Sequence, residues 1–149
     1  MGKPKLSKSN FELWLLIGRV NHSVNLIRQR ELNQYDIPIR QIHVLRLIQD
    51  LGQKATLSEL AKQIERQPHV ISRQTIAMEK DGLIKRIKIK PKSNLLRLEL
   101  TEKGLEMIIV ANKSNLIDQI LSFLTQEQRH QMESVLNRIL ANVEKYDHD

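Results

Sequence analysis

From residue 11 to 34 the apolar positions Leu13, Leu16, Ile17, Val20, Val24 and Ile27 recur at helical spacing. This pattern predicts one long amphipathic helix. Asp36 and Pro38 interrupt it, and Pro38 suits the first turn of a second helix. Ile42, Leu45, Leu47 and Ile48 carry the same period on to Gly52, a helix stop. Thr56-Leu57-Ser58-Glu59 has the spacing of a capping box. The Thr56 hydroxyl is expected to accept from the amide of Glu59, and the Glu59 side chain to reach back. The third helix, LSELAKQIE, is short. A turn over residues 65 to 67 leads to a fourth helix that starts at Pro68 and ends at Asp81-Gly82. Gly82 fits the left-handed residue that closes a helix.

After Gly82 the period drops from helical to alternating. Ile87 and Ile89 alternate with Arg86, Lys88 and Lys90; Leu96, Leu98 and Leu100 alternate with Arg97 and Glu99. Pro91-Lys92-Ser93-Asn94 between them has turn chemistry, so the segment predicts a hairpin. Thr101 then caps a fifth helix, from 102 to about 122, and Thr125-Gln126-Glu127-Gln128 is a second capping box opening a sixth helix to about 146. The expected fold is mainly α with a small β-hairpin, and no internal repeat is visible.

Composition narrows the class. A chain of 149 residues makes one domain, or one domain with a helical appendage. With one Trp, two Tyr and two Phe, its core must be built from Leu, Ile and Val. The 24 basic and 17 acidic side chains leave a net charge of +7, which suggests a polyanionic partner, nucleic acid or an anionic membrane. No apolar run approaches the roughly 18 residues of a membrane span. WLLIG is too short for a signal core and Arg19 ends it, so a cytoplasmic protein without membrane attachment is expected. Cysteine is absent, which removes disulfides, thiolate nucleophiles and cysteine-based zinc sites. His22, His43, His69, His130 and His148 show no short metal-ligand spacing. Only a site assembled in three dimensions from His22, His43 and a carboxylate stays open. There is no glycine-rich phosphate loop and no GxSxG. The expectation is a non-enzyme with no cofactor and no metal.

Two short helices joined by a tight turn form a helix-turn-helix, and a basic hairpin directly after them makes it winged. A helix about 12 Å across fits the major groove of DNA, where its exposed face can read base edges. With Ile71 at the centre of the core side of the fourth helix, Gln74, Thr75 and Met78 fall near it. His69, Arg73, Ile76 and Lys80 then point outward, with Val70 and Ala77 flanking and Ser72 at the boundary. His69, Val70, Ser72, Arg73 and Ile76 are the candidate recognition residues. Arg73 has the geometry to pair with a guanine, and Ile76 or Val70 to meet a thymine methyl. Lys62, Arg66, Lys88, Lys90 and Lys92 are candidate phosphate contacts, which position a protein without specifying sequence. Taken singly, a polar helix face is ordinarily just solvated, and a lysine-rich strand is ordinarily a protected edge. It is the succession of capped helix, turn, helix, glycine stop and basic hairpin that favours DNA.

From about residue 10 to 145 this layout resembles the MarR-type winged-helix transcriptional regulators. Met78-Glu79-Lys80-Asp81-Gly82-Leu83-Ile84 with Arg86 is similar to the family's LE-x-x-GL(V/I)-x-R close of the recognition helix. Leu98-Glu99-Leu100-Thr101-Glu102-Lys103-Gly104 is similar to its V-x-LT-x-x-G entry to the next helix. Tyr35-Asp36-Ile37 and Pro38 stand where the family usually has GL and the start of its second helix. The chain departs from the pattern at the wing, where Lys92-Ser93-Asn94 replaces the usual Asp-Arg-Arg run. Gln74 stands where an apolar residue is common, and Ile76 where a charged one is.

The resemblance implies a single chain, 1–149, in which 10–36 and 102–147 are dimerisation helices around a winged-helix DNA-binding lobe at 38–101. It implies a homodimer and a pseudo-palindromic operator. It also implies a small-molecule effector that relieves repression, with Trp14, His22, Tyr35 and His43 as candidate lining residues. The apolar positions of the last two helices independently suggest dimerisation, with Leu116, Ile120, Leu136, Ile139 and Leu140 as candidates. The rival reading is a helical protein-interaction module whose winged helix does not bind DNA.

Overall fold

The computed structural model describes residues 7–64, 66–91, 95–114 and 116–147. The elements are α1 (Lys8–Asn33), α2 (Ile39–Leu51), a 3₁₀ turn (Gly52–Lys54), α3 (Leu57–Ile64), α4 (Pro68–Lys80), β1 (Ile84–Lys88), β2 (Leu96–Leu100), α5 (Glu102–Ala111), α6 (Leu116–Leu121) and α7 (Gln126–Glu144). They fall into two compact units, Met1–Ser114 and Asn115–Asp149. The mainly helical chain with one antiparallel hairpin is the architecture that the change of period predicts.

Helix ends follow local chemistry. The first helix closes with the amide of Ile37 bonded to the carbonyl of Leu32 at 3.2 Å and that of Asp36 to Asn33 at 3.1 Å. Asp36 takes φ 55°, the left-handed conformation that this closure requires. Leu32 and Ile37, both buried, supply the apolar contact that accompanies it. The same motif closes α4: Leu83 donates to Met78 at 3.0 Å, Gly82 to Glu79 at 2.9 Å, and Gly82 has φ 77°. Asp36 thus occupies a position where a glycine is the unstrained residue. Pro68 opens α4 as its first residue, whereas Pro38 stands just before α2 as its cap.

Thr125 and Gln128 form the full capping box, the Gln128 amide donating to Thr125 Oγ1 at 3.1 Å and the Thr125 amide to Gln128 Oε1 at 3.0 Å. The box expected at Thr56 is only half made. Glu59 donates its amide to Thr56 Oγ1 at 3.2 Å, but its carboxylate accepts from Gln63 Nε2 instead. The Thr56 amide is already bonded to the Lys54 carbonyl at 2.8 Å, because Thr56 is extended and bridges Arg97 of β2. Leu98 donates to the Ala55 carbonyl at 2.8 Å, so residues 55 and 56 act as a short third edge to the hairpin.

A second departure concerns the predicted fifth helix. It ends at Ala111, and a new helix starts at Leu116. The apolar period continues across the gap, but Asn112-Lys113-Ser114 does not favour helix: Asn and Ser side chains compete for backbone hydrogen bonds. Asn112 becomes the C-cap, and Lys113 closes the turn on Val110 at 3.1 Å.

Within the first unit the core gathers Leu32, Leu45, Leu60, Ile71, Met78, Leu83, Ile84 and Leu98, each at most 1% exposed. Burying one such side chain is worth roughly 1.5–3 kcal/mol. This core joins α2, α3, α4, the hairpin and α5, with Ile108 and Ala111 of α5 buried in it.

The two sequence motifs that carry the family resemblance meet in space. Thr101 Oγ1 caps α5 by accepting from the Gly104 amide at 3.1 Å and donates to the Gly82 carbonyl at 2.6 Å. Lys103 Nζ donates to the Asp81 carbonyl at 2.8 Å. The start of α5 is thereby fastened to the end of α4.

Candidate nucleic-acid interface

The fourth helix is oriented by one buried row. Ile71, Thr75 and Met78 are at most 1% exposed. Thr75 satisfies its hydroxyl by donating to the Ser72 carbonyl at 3.0 Å. With that row inward, His69, Val70, Arg73, Ile76, Ala77 and Lys80 are exposed. The outward face is the one expected from a helical count. Exposed Val70 and Ile76 leave apolar surface beside the Arg73 guanidinium, a mixture that bases can meet by both hydrogen bonds and methyl contacts.

The two flanks of α4 are held differently. On one side lies the hairpin: the Arg86 amide donates to Glu79 Oε2 at 2.7 Å, and Arg86 Nη2 to Ser72 Oγ at 3.5 Å. On the other, Gln74 Nε2 donates to the carbonyl of Arg40, in the first turn of α2, at 3.3 Å. Ser72, at the boundary as expected, is half-buried with its hydroxyl turned to the hairpin.

The hairpin pairs Ile84 with Leu100, Arg86 with Leu98 and Lys88 with Leu96. Residues opposite one another share a face, so Ile84 and Arg86 accompany the buried Leu98, and Ile87 pairs with Arg97 on the other face. Lys88 and Lys90 are exposed toward the hairpin tip. Lys62 on α3 and Arg66 after it are exposed as well. Lys92, and the Lys92-Ser93-Asn94 stretch that stands in place of the family's wing run, lie outside the described residues. Residues 38–101 hold thirteen basic and six acidic side chains, so this lobe carries the whole net charge of the chain.

The candidate effector residues differ in their surroundings. Trp14 is 66% exposed on α1 and meets Phe11 edge-on, ring centroids 6.3 Å apart. His22 is exposed, and Tyr35 is half-buried against the core. His43 keeps part of its surface in solvent, yet burial of the rest, and then the nearby Arg28 charge, lower its pKa below the ordinary 6.5. A shallow groove of about 350 Å³ lies between the end of α2 and β2, lined by Ile48, Gly52, Gln53, Arg97 and Leu100, and none of these four residues lines it. Among the described residues no three His, Cys, Asp or Glu side chains gather as a metal site, and no helix is long and apolar enough to cross a membrane.

Two features of the site are not visible in the residue pattern. One is Arg40, 34 positions from Gln74 in the chain and bonded to it in the fold. The other is Arg86 as the strand residue that faces α4. The shared GL(V/I)-x-R motif is the available signal for Arg86; for Arg40 there is none.

Residues 37–90 match the model of the MarR family. No curated protein sequence matches the chain. The organohalide-sensing transcriptional regulator RdhR, crystallised with 2,4-dichlorophenol bound, is 25% identical with a TM-score of 0.78, over 100% of this chain and 90% of its own. S. aureus MepR, in complex with DNA, is 21% identical with a TM-score of 0.73, over 92% and 96%. AbsC, a MarR family transcriptional regulator from Streptomyces coelicolor, is 18% identical with a TM-score of 0.81, over 96% and 99%. Residues 37–90 thus carry the match to the MarR family model, and the winged helix-turn-helix fold around them is similar to that of solved MarR family transcriptional regulators.

Proposed function

We propose that the protein is a sequence-specific, homodimeric DNA-binding regulator that inserts α4 into the major groove of a pseudo-palindromic operator. The observation that carries this reading is the outward face of α4. Arg73 stands exposed between His69, Ile76 and Lys80, on a lobe that holds all of the chain's excess positive charge. Val70 and Ile76 supply apolar base contacts, and Ser72 borders them. Lys62, Arg66, Lys88, Lys90 and Lys92 hold the phosphates. The likeness to MepR, a structure solved with DNA, supports the same use of this lobe.

Dimerisation is supported by apolar surface left open on the chain. Leu13, Leu16 and Val20 of α1 are 52–55% exposed, and Leu136, Ile139 and Leu140 of α7 are 38–46% exposed. Leu116 and Ile120 of α6 are half-buried. Contiguous apolar stripes of this kind mark association surfaces, and residues 10–36 and 102–147 would supply them. A two-fold dimer sets its recognition helices about 34 Å apart, one turn of DNA. The 2,4-dichlorophenol bound to RdhR supports a small aromatic effector for this chain, whose binding would release repression. The action of such a regulator is cytoplasmic.

Selection of the tightest duplexes from a randomised library, followed by salt titration, tests the reading. An enriched palindrome whose affinity falls roughly 10³- to 10⁵-fold between 50 and 200 mM salt is expected. No enrichment, with salt-insensitive weak binding, would move the protein-interaction reading ahead. Sedimentation equilibrium tests the dimer directly.

A further inference from the structure

The flanks of α4 point to a residue that neither the family motifs nor the charge runs single out. At about 100° per residue, Ser72 and Glu79 fall on one side of the helix, within about 20° of each other, and Gln74 lies about 140–160° around from them. Arg73 stands midway, about 100–120° from either side. Ser72 and Glu79 are the residues that bind the hairpin, through Arg86. Gln74 is the residue that binds α2, through the carbonyl of Arg40. The outward face is therefore bracketed, by the cationic hairpin on one edge and by Arg40 on the other.

Arg40 is exposed, and its guanidinium has no acidic partner among the described residues. A duplex whose major groove receives α4 presents a sugar-phosphate backbone along each edge of that helix. The hairpin reaches one of them. The other passes on the side of Gln74, where Arg40 is the cation whose backbone the recognition helix itself holds. A guanidinium presents a donor fork that matches phosphate oxygens.

We infer that Arg40 binds a backbone phosphate on the edge of the recognition helix away from the wing, and that Gln74 is the positioning residue that holds it there. Gln74, half-buried where an apolar side chain would serve packing alone, thus has a polar task. The inference rests on the DNA-binding reading above.

Its test uses the tightest duplex selected from a randomised library and a scrambled duplex, each titrated against salt with wild-type protein, Arg40→Gln, Gln74→Leu and Arg46→Gln. Arg46 is exposed on the same helix and serves as the control for charge alone. Arg40→Gln should lower the slope of log affinity against log salt by about 0.9, one phosphate contact. Sharing a non-specific affinity of roughly 10⁵ M⁻¹ among some eight contacts, it should weaken both duplexes about fourfold. The preference for the selected duplex should stay unchanged. Gln74→Leu, which keeps the charge, should lose part of that slope, and Arg46→Gln none of it. An unchanged slope in Arg40→Gln, or an equal loss in Arg46→Gln, would overturn the assignment. A loss confined to the selected duplex would make Arg40 a base reader and overturn it too. If the wild-type protein bound no duplex, the failure would be that of the DNA-binding reading itself.

Discussion

Gly104 and Leu83 touch backbone to backbone: a Cβ on Gly104 would stand 2.2 Å from the carbonyl oxygen of Leu83 and 3.3 Å from its carbonyl carbon. Leu83 follows the glycine that closes the recognition helix, and Gly104 sits in the first turn of α5. The two motifs of the family resemblance are thus the two halves of one close packing contact. Gly104→Ala should lower stability by about 1–3 kcal/mol, since backbone must move to admit the methyl. The sign is diagnostic, because alanine is otherwise better than glycine in a helix by roughly 1 kcal/mol. Urea denaturation would decide; a stabilised variant would mean that α5 docks more loosely.

Thr101 serves the same junction twice, capping α5 and donating to the Gly82 carbonyl. Thr101→Val keeps the shape and loses both bonds, at a cost of about 1–2 kcal/mol, while Thr101→Ser should lose little. A loss in Thr101→Ser with none in Thr101→Val, compared by thermal unfolding, would assign the effect to the methyl group instead.

Asp36 holds φ 55° at the end of α1. Asp36→Gly should stabilise the protein by about 0.5–1 kcal/mol, and Asp36→Val, β-branched in a left-handed position, should destabilise it by at least about 1 kcal/mol. The pair of denaturation midpoints should move in opposite directions; midpoints that move together would show that strain at this residue is not what they report.

Arg28, 14% exposed, pairs with the 3% exposed carboxylate of Glu31 and donates through Nη2 to the Ala111 carbonyl at 3.0 Å, tying α1 to the end of α5. Arg28→Met leaves Glu31 without this guanidinium and should cost about 3–5 kcal/mol, much of it recovered by Arg28→Met with Glu31→Leu. His43 lies in the same region with its pKa lowered, by burial first and by Arg28 second. A folded-state value below the unfolded 6.5 means that the unfolded chain binds the extra proton. This contribution to stability is fully present above pH 6.5 and is lost as pH falls through the folded-state value. His43→Asn should flatten stability against pH in that window. An unaltered profile would assign the acid sensitivity to other groups.

Arg73, exposed at the centre of the outward face of α4, is the proposed base reader. Arg73→Ala should cost on the order of 1–3 kcal/mol on the selected duplex and relax preference at one base pair. Equal losses on every sequence in a competition assay would make it a phosphate contact. Replacing Lys88 and Lys90 by alanine should instead weaken all duplexes alike and flatten the salt dependence.

The residue pattern alone determined most of the helices, the caps at Thr101, Thr125 and Gly82, and the outward face of α4. Thr101, Thr125, Gly82 and the row Ile71, Thr75 and Met78 act within a few residues of themselves, so spacing and side-chain chemistry are enough to read them. What it missed depends on partners far along the chain. The Thr56 box stayed half made because its amide is taken by the Lys54 carbonyl of the preceding 3₁₀ turn, where the chain runs on to bridge Arg97. Arg86 proved to face α4 because register, not alternation, decides which side of a hairpin meets the core. The fifth helix broke at Asn112 although its apolar period ran on, since backbone competition is invisible to a hydrophobic count. Arg40 came to the edge of the recognition helix only through a hydrogen bond spanning 34 residues. Local chemistry writes the elements; which flank of one element faces another is set by packing, and that only the tertiary structure decided.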